Sequence, residues 1–204
     1  QIRTIIPEIT TDKLPTVEND VVLHVEINTR NYEVCMRAVN TPDFDEDVLW
    51  QENKGSSYGL IALYLYDETE NMALKKANED QKMITGLLYI DNYEETFENI
   101  DEVRRSLLTA LVDRKINKYM LSIDAIIKKL EKDKYIFVFQ HKYLAQMEAT
   151  KFSLLEEVRG SNIGNDAPIV SISMGLGVNA DSFLGGYELA RGAIDLALGR
   201  GGDQ

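Results

Sequence analysis

Val21, Leu23, Val25 and Ile27 alternate with Val22, His24, Glu26 and Asn28. This period of two predicts a half-buried strand. Tyr32, Val34, Met36 and Ala38 repeat it, and Asn28-Thr29-Arg30-Asn31 between the runs has turn chemistry, so the pair reads as a hairpin. A polar stretch from Asn40 to Ser57 leads to a third strand, Gly59 to Tyr66. Asp67 with Glu70 three residues on is the signature of a helix start, and the helix is predicted to run to about Lys82.

The pattern then changes character. Met83 to Ile90 is an apolar run ending on Asp91, and Val103, Leu107, Leu111 and Ile116 mark a helix after it. Ser122 to Leu130 and Tyr135 to Phe139 read as two strands joined by the polar hairpin loop Glu131-Lys132-Asp133-Lys134. Leu144, Met147, Leu154, Leu155 and Val158 are spaced for one further helix, Ile169 to Leu176 for a strand, and Tyr187 to Leu198 for a final helix. The order β-α-β-β-α-β-α predicts an α+β domain, a mixed sheet flanked by helices, with antiparallel pairs.

Charge supports two modules. The 204 residues carry 34 acidic and 22 basic side chains, a net charge of −12. Up to residue 80 there are 7 basic and 16 acidic residues, leaving 15 and 18 beyond it, so most of the excess lies in the first part. This balance argues against DNA as a partner. A hydrophobic fraction of 44% is ordinary for a chain with a packed core. Cys35 is the sole cysteine, which excludes an internal disulfide framework and suits a reducing compartment. No run of about 18 apolar residues and no basic-then-apolar leader occurs, so this stretch is expected neither to span a membrane nor to carry a secretion signal.

Several segments taken in order resemble one family. Asp195-Leu196-Ala197-Leu198-Gly199-Arg200-Gly201-Gly202-Asp203-Gln204 is similar to the segment that leaves the degenerate GGDEF domain in the GdpP-type bacterial cyclic-di-AMP phosphodiesterases. Gly86-Leu87-Leu88-Tyr89-Ile90-Asp91-Asn92-Tyr93-Glu94-Glu95 looks like that domain's first strand. Lys151-Phe152 with Leu155-Glu156-Glu157-Val158-Arg159 resembles its middle helix, and Ser173-Met174-Gly175-Leu176-Gly177 its serine-glycine strand. The resemblance covers about residues 83–204. Upstream, the hairpin, the third strand and Tyr66-Asp67-Glu68-Thr69-Glu70 are similar to the C-terminal half of a PAS domain.

This implies a partial PAS sensor domain over 1–68, a linker helix over 69–82 and a GGDEF-like domain over 83–204. The DHH-type catalytic domain is expected outside this chain and is the implied partner. The family implies a parent protein anchored in the membrane, with this fragment soluble on the cytoplasmic side, and a homodimer. Met72, Leu74, Ala73 and Ala77 give the linker helix a short apolar surface for pairing. Haem binding is known for the family's PAS domains, but with half of that domain missing no haem pocket is expected here.

Carried over by position, the metal ligands of a GGDEF site are Asp91, ending the first strand, and Asp133 in the hairpin loop. Both are hard carboxylates suited to Mg²⁺ or Mn²⁺. Where the family's active relatives have Gly-Gly-Asp-Glu-Phe, this chain has Glu131-Lys132-Asp133-Lys134-Tyr135. Glu131 and Lys132 remove the clearance of two glycines and Lys134 reverses the charge of a lost acid, so cyclase chemistry is not expected. Lys132 and Lys134 are candidate phosphate contacts for ATP or another nucleotide. Two readings stay open: a residual metal–nucleotide site with weak ATP hydrolysis, or a solvated polar hairpin. No arginine lies between Lys115 and Lys151, so the Arg-x-x-Asp motif of product-inhibited cyclases is missing and feedback by cyclic-di-GMP is not expected.

Other candidates read as structural. His24 falls on the face opposite Leu23 and Val25, Cys35 on that of Glu33 and Arg37, and His141 at a helix start. Asp43, Asp45, Glu46 and Asp47 lack the glycine and distal glutamate of a calcium loop. Gly199-Arg200-Gly201-Gly202 follows a helix, which suits a C-cap and linker better than a phosphate cradle.

Overall fold

In a computed structural model the chain is described over residues 2–15, 19–39, 60–91, 93–98, 100–161 and 169–204. The Asp43–Asp47 acids lie outside these residues. By packing, the chain divides into two units, Gln1–Ala77 and Asn78–Gln204.

In the first unit, α1 (Ile2–Ile5) precedes an antiparallel sheet of β1 (Val21–Ile27), β2 (Arg30–Val39) and β3 (Leu60–Asp67), ordered β1-β2-β3. Asn28 and Thr29 both take positive φ, which makes a tight two-residue turn, and Arg30 and Asn31 already belong to β2. Val25, Val34 and Met36 are buried on one face against Ile6 and Ile9. Helix α2 (Thr69–Gln81) follows, its first turn held by Asp67, whose carboxylate accepts the Thr69 N–H (3.0 Å). None of its residues is buried.

In the second unit, β4 (Met83–Ile90), β5 (Ile126–Lys129), β6 (Lys134–Gln140) and β7 (Ile172–Gly177) form a sheet ordered β5-β6-β4-β7 with every pair antiparallel. Ile84, Leu88, Ile90, Phe137 and Phe139 pack towards the main core, which also takes in α3 (Tyr93–Glu98), α4 (Glu102–Ser122), α5 (Leu144–Ala149) and α6 (Leu154–Arg159). On the opposite face Leu87 meets Ala190 and Ile194 of α7 (Phe183–Gly199). The result is a helix–sheet–helix sandwich. Glycine sets its tightest contact: a Cβ on Gly177 would stand 1.9 Å from the Gly186 carbonyl oxygen, and one on Gly175 2.3 Å from that of Ala190. The serine-glycine strand is therefore what lets α7 lie directly on β7.

Five expectations are corrected. The sheet expected to be mixed is antiparallel at every described pair, while the α+β class and the flanking helices are as expected. The long helix α4 buries Ile116 as expected, together with Leu108, Val112, Tyr119 and Met120, whereas Val103 and Leu107 are 79% and 57% exposed, so the first part of its core stripe is rotated from the predicted one. It also runs through Ser122, leaving β5 only Ile126–Lys129 of the predicted Ser122–Leu130. The single helix expected over Leu144–Val158 is two, because Lys151 and Phe152 take positive φ and break the hydrogen-bond ladder. Finally, β7 begins at Ile172, and Ile169 is exposed.

Candidate metal and nucleotide site

The site forms where β4 ends beside the β5–β6 hairpin. The Ile90 N–H donates to the Asp133 carbonyl (2.8 Å), so the ladder sets the loop next to Asp91. The hairpin closes with Leu130 N–H donating to the Lys134 carbonyl (2.8 Å), and none of residues 131–134 takes positive φ. A loop without glycine thus adopts a turn that needs none. An open groove of about 1520 Å³ runs along this edge, lined by Asp91, Asp133, Lys132 and Lys134 among others. All four sequence candidates meet there.

Their states differ. Asp91 is 5% exposed, and burial pushes its carboxyl group above the usual range while the Ser173 and Ser171 side chains pull the other way without cancelling it. Its Oδ2 accepts the Asp203 N–H (2.8 Å), and its Oδ1 is buried without a hydrogen-bond partner. Lys134 is engaged by Glu131 (2.7 Å), which raises its pKa, and it lies 5.6 Å from the Tyr89 ring centroid. Lys132 is exposed.

Residues not anticipated complete the groove. Tyr89, Tyr93, Phe97, Arg105 and Lys129 line it, with the Tyr93 and Phe97 rings stacked at 4.4 Å. Behind it, Asp113 accepts from Lys129 Nζ (3.1 Å) and from the buried Tyr135 hydroxyl, whose pKa rises through burial and that bond. The segment after α7 was expected to cap and link, and it does cap: the Gly201 and Gly202 N–H groups donate back to Leu198 and Ala197 carbonyls. It also does something the sequence did not signal. Gly202, at φ +78°, sits so close to Asp91 that a Cβ would stand 2.8 Å from its carboxylate. Asp203 pairs with Arg159, and Met174 N–H donates to the Gln204 carbonyl (2.7 Å), so the segment is folded down over the strand end.

A set of carboxylate oxygens, one of them buried and unpartnered, fits a hard divalent cation. Asp91 Oδ1 and the Asp133 carboxylate are the groups that would hold it; Asp91 Oδ2 is shared with the Asp203 N–H.

This sheet, with its helices and strand-end acid, is the GGDEF fold. The GGDEF domain of DgcB from Caulobacter crescentus, solved in complex with c-di-GMP, superposes with a TM-score of 0.52 at 14% identity, covering 65% of this chain and 80% of that one. The profile of the cyclic-di-AMP phosphodiesterase GdpP-like GGDEF domain matches residues 88–204, and the chain belongs to that family. It is 36% identical over 143 residues to the cyclic-di-AMP phosphodiesterase GdpP of Geobacillus thermodenitrificans, covering 70% of this chain. It is 32% identical over 142 residues to the cyclic-di-AMP phosphodiesterase PdeA of Listeria monocytogenes, again covering 70%. The chain spans about a fifth of the length of these relatives, 21% and 22% respectively. No described helix is long and apolar enough to cross a membrane.

Proposed function

We propose that this chain is a regulatory part of a membrane-anchored cyclic-di-AMP phosphodiesterase, in which a PAS-derived unit signals through α2 to a GGDEF-like domain without cyclase activity. One observation carries the loss of cyclase activity: the loop at the metal position holds Glu131, Lys132 and Lys134, and Lys134 is committed to Glu131. A loop of that bulk and charge lacks the close backbone approach that two glycines would give a triphosphate. The order and pairing of β1, β2 and β3 support the PAS reading. Phosphodiester hydrolysis belongs to the DHH-type domain, because a two-metal centre needs converging histidines and aspartates. The two histidines here, His24 and His141, belong to different units.

A second reading, weak metal-dependent nucleotide binding or ATP hydrolysis, is favoured by the orphaned Asp91 Oδ1 and the groove's mixture of cations and aromatic rings. Asp91 and Asp133 would hold the metal, Lys132 would meet phosphate, and Lys134 could do so only by leaving Glu131. Calorimetry with Mg²⁺-ATP separates the two readings. Under the second, binding is saturable, needs the cation, and is lost in Asp91→Asn and Asp133→Asn. Unchanged affinity in both variants returns the groove to a solvated hairpin. Formation of cyclic-di-GMP from GTP would overturn the regulatory reading.

A further inference from the structure

Away from the groove, the open face of the first unit's sheet gathers a second set of ligating side chains. The β1–β2 register places His24 directly opposite Glu33. The ladder between β2 and β3 continues one step past the strand, where the Glu68 N–H donates to the Asn31 carbonyl (2.8 Å), so Glu68 stands diagonally from Glu33. His24 Nδ1 lies 3.4 Å from Glu68 Oε2, and one ligand atom from each of the three residues lies within 4.8 Å of the others.

We propose that His24, Glu33 and Glu68 bind a divalent transition-metal ion of the zinc type. Three features carry this. The first is distance: metal–ligand bonds of about 2.1 Å in a tetrahedron put neighbouring ligand atoms about 3.4 Å apart, so small side-chain adjustments close the set. The second is charge. Two carboxylates share one imidazole, while Arg30 is committed to Asp67 (3.2 Å) and Arg37 to Asp20 (2.5 Å). A dication neutralises what the sheet's own arginines do not. The third is pre-organisation: His24 and Glu33 are fixed by the strand register, and Glu68 by backbone bonds on both sides, its carbonyl accepting the Met72 N–H (2.8 Å). Mixed imidazole and carboxylate donors select zinc, cobalt or nickel over magnesium and calcium, which sets this site apart from the all-oxygen set at Asp91. The fourth position is open to water, since the His24 side chain is 65% exposed. A bound ion would tie the β1–β2 hairpin to the first turn of α2.

The test uses the whole chain, without a histidine tag, titrated with Co²⁺ by visible absorption and with Zn²⁺ by calorimetry. One equivalent of Co²⁺ binds, its absorption band is erased by Zn²⁺ and survives excess Mg²⁺, and His24→Ala weakens binding at least about tenfold. Glu33→Gln and Glu68→Gln, which keep side-chain shape, also weaken it, and heating shows the metal-loaded chain unfolding at higher temperature than the metal-free one. Absence of saturable Co²⁺ and Zn²⁺ binding overturns the proposal, as does wild-type affinity in His24→Ala or in both glutamine variants.

Discussion

Strands β3 and β4 have similar sequences, Leu60-Ile-Ala-Leu-Tyr-Leu-Tyr-Asp67 and Met83-Ile-Thr-Gly-Leu-Leu-Tyr-Ile90, and opposite fates. In β4 all but Met83 and Tyr89 are buried, because α4 to α6 cover one face and α7 the other. In β3 none is buried, and Leu60, Ile61, Tyr64, Leu65 and Tyr66 are all exposed. An apolar strand thus specifies that it seeks cover, and the layers around it decide whether cover exists. The difference also divides the chemistry. A carboxylate without a full set of partners can be held at Asp91 because the sheet beneath it is packed on both sides, whereas the open sheet offers ligands that solvent reaches directly.

The strongest way to break this comparison is to cut into the larger core. Phe137→Ala empties a fully buried position facing Gly86, and should cost about 3–5 kcal/mol. Native-state hydrogen exchange should show protection falling by that amount in β4 and β6 while β1 to β3, which start with lower protection, stay unchanged. An equal fall in all seven strands would mean that the units unfold as one.

Acid should separate the units in opposite directions. In the first unit Asp12, Asp20 and Asp67 are held below the usual carboxylate value, by bonds from Thr10, from Arg37 and from Thr69 respectively. A depressed pKa contributes stability above the unfolded value that is lost as pH falls through the folded one, here below about pH 4. Asp91 runs the other way: its folded pKa is raised, so its contribution is fully present below the unfolded value and is lost as pH rises through the folded one. Amide NMR signals of β1 to β3 should therefore collapse at higher pH than those of β4 to β7 on acidification. Asp91→Asn should remove the opposing contribution without lowering stability at neutral pH.

The smallest effect sharpens the account of the loop. Lys134→Ala removes a solvent-screened pair with Glu131 and should leave the denaturant midpoint of unfolding nearly unchanged. A fall in nucleotide affinity in the same variant would show that Lys134 leaves Glu131 to meet phosphate.

Much of this was legible along the chain. Period-two alternation located β1 and β2, Asp67 the start of α2, and the resemblance of the Gly86–Glu95 segment put Asp91 at a strand end beside the hairpin loop. Reading failed where neighbours override pattern. Val103 and Leu107 looked like core because apolar residues occur around much of α4, and only the position of β4 and β6 selects the Leu108, Val112 and Ile116 stripe. Lys151 and Phe152 carry no helix-breaking signal, yet their backbone turns left-handed. No local pattern joins Glu33 and Glu68 to His24, and only the strand register brings the three together.

The sequence by itself determined the family, the α+β class and the residue types available for chemistry, since these depend on local propensity, hydrophobic period and the identity of a few side chains. Tertiary structure alone decided that Gly202 and Asp203 fold down on Asp91 and leave one carboxylate oxygen buried without a partner. The physical reason is distance along the chain. Asp203 lies 112 residues from Asp91, and no local pattern reports a contact whose two halves meet only after β4, β7 and α7 have packed.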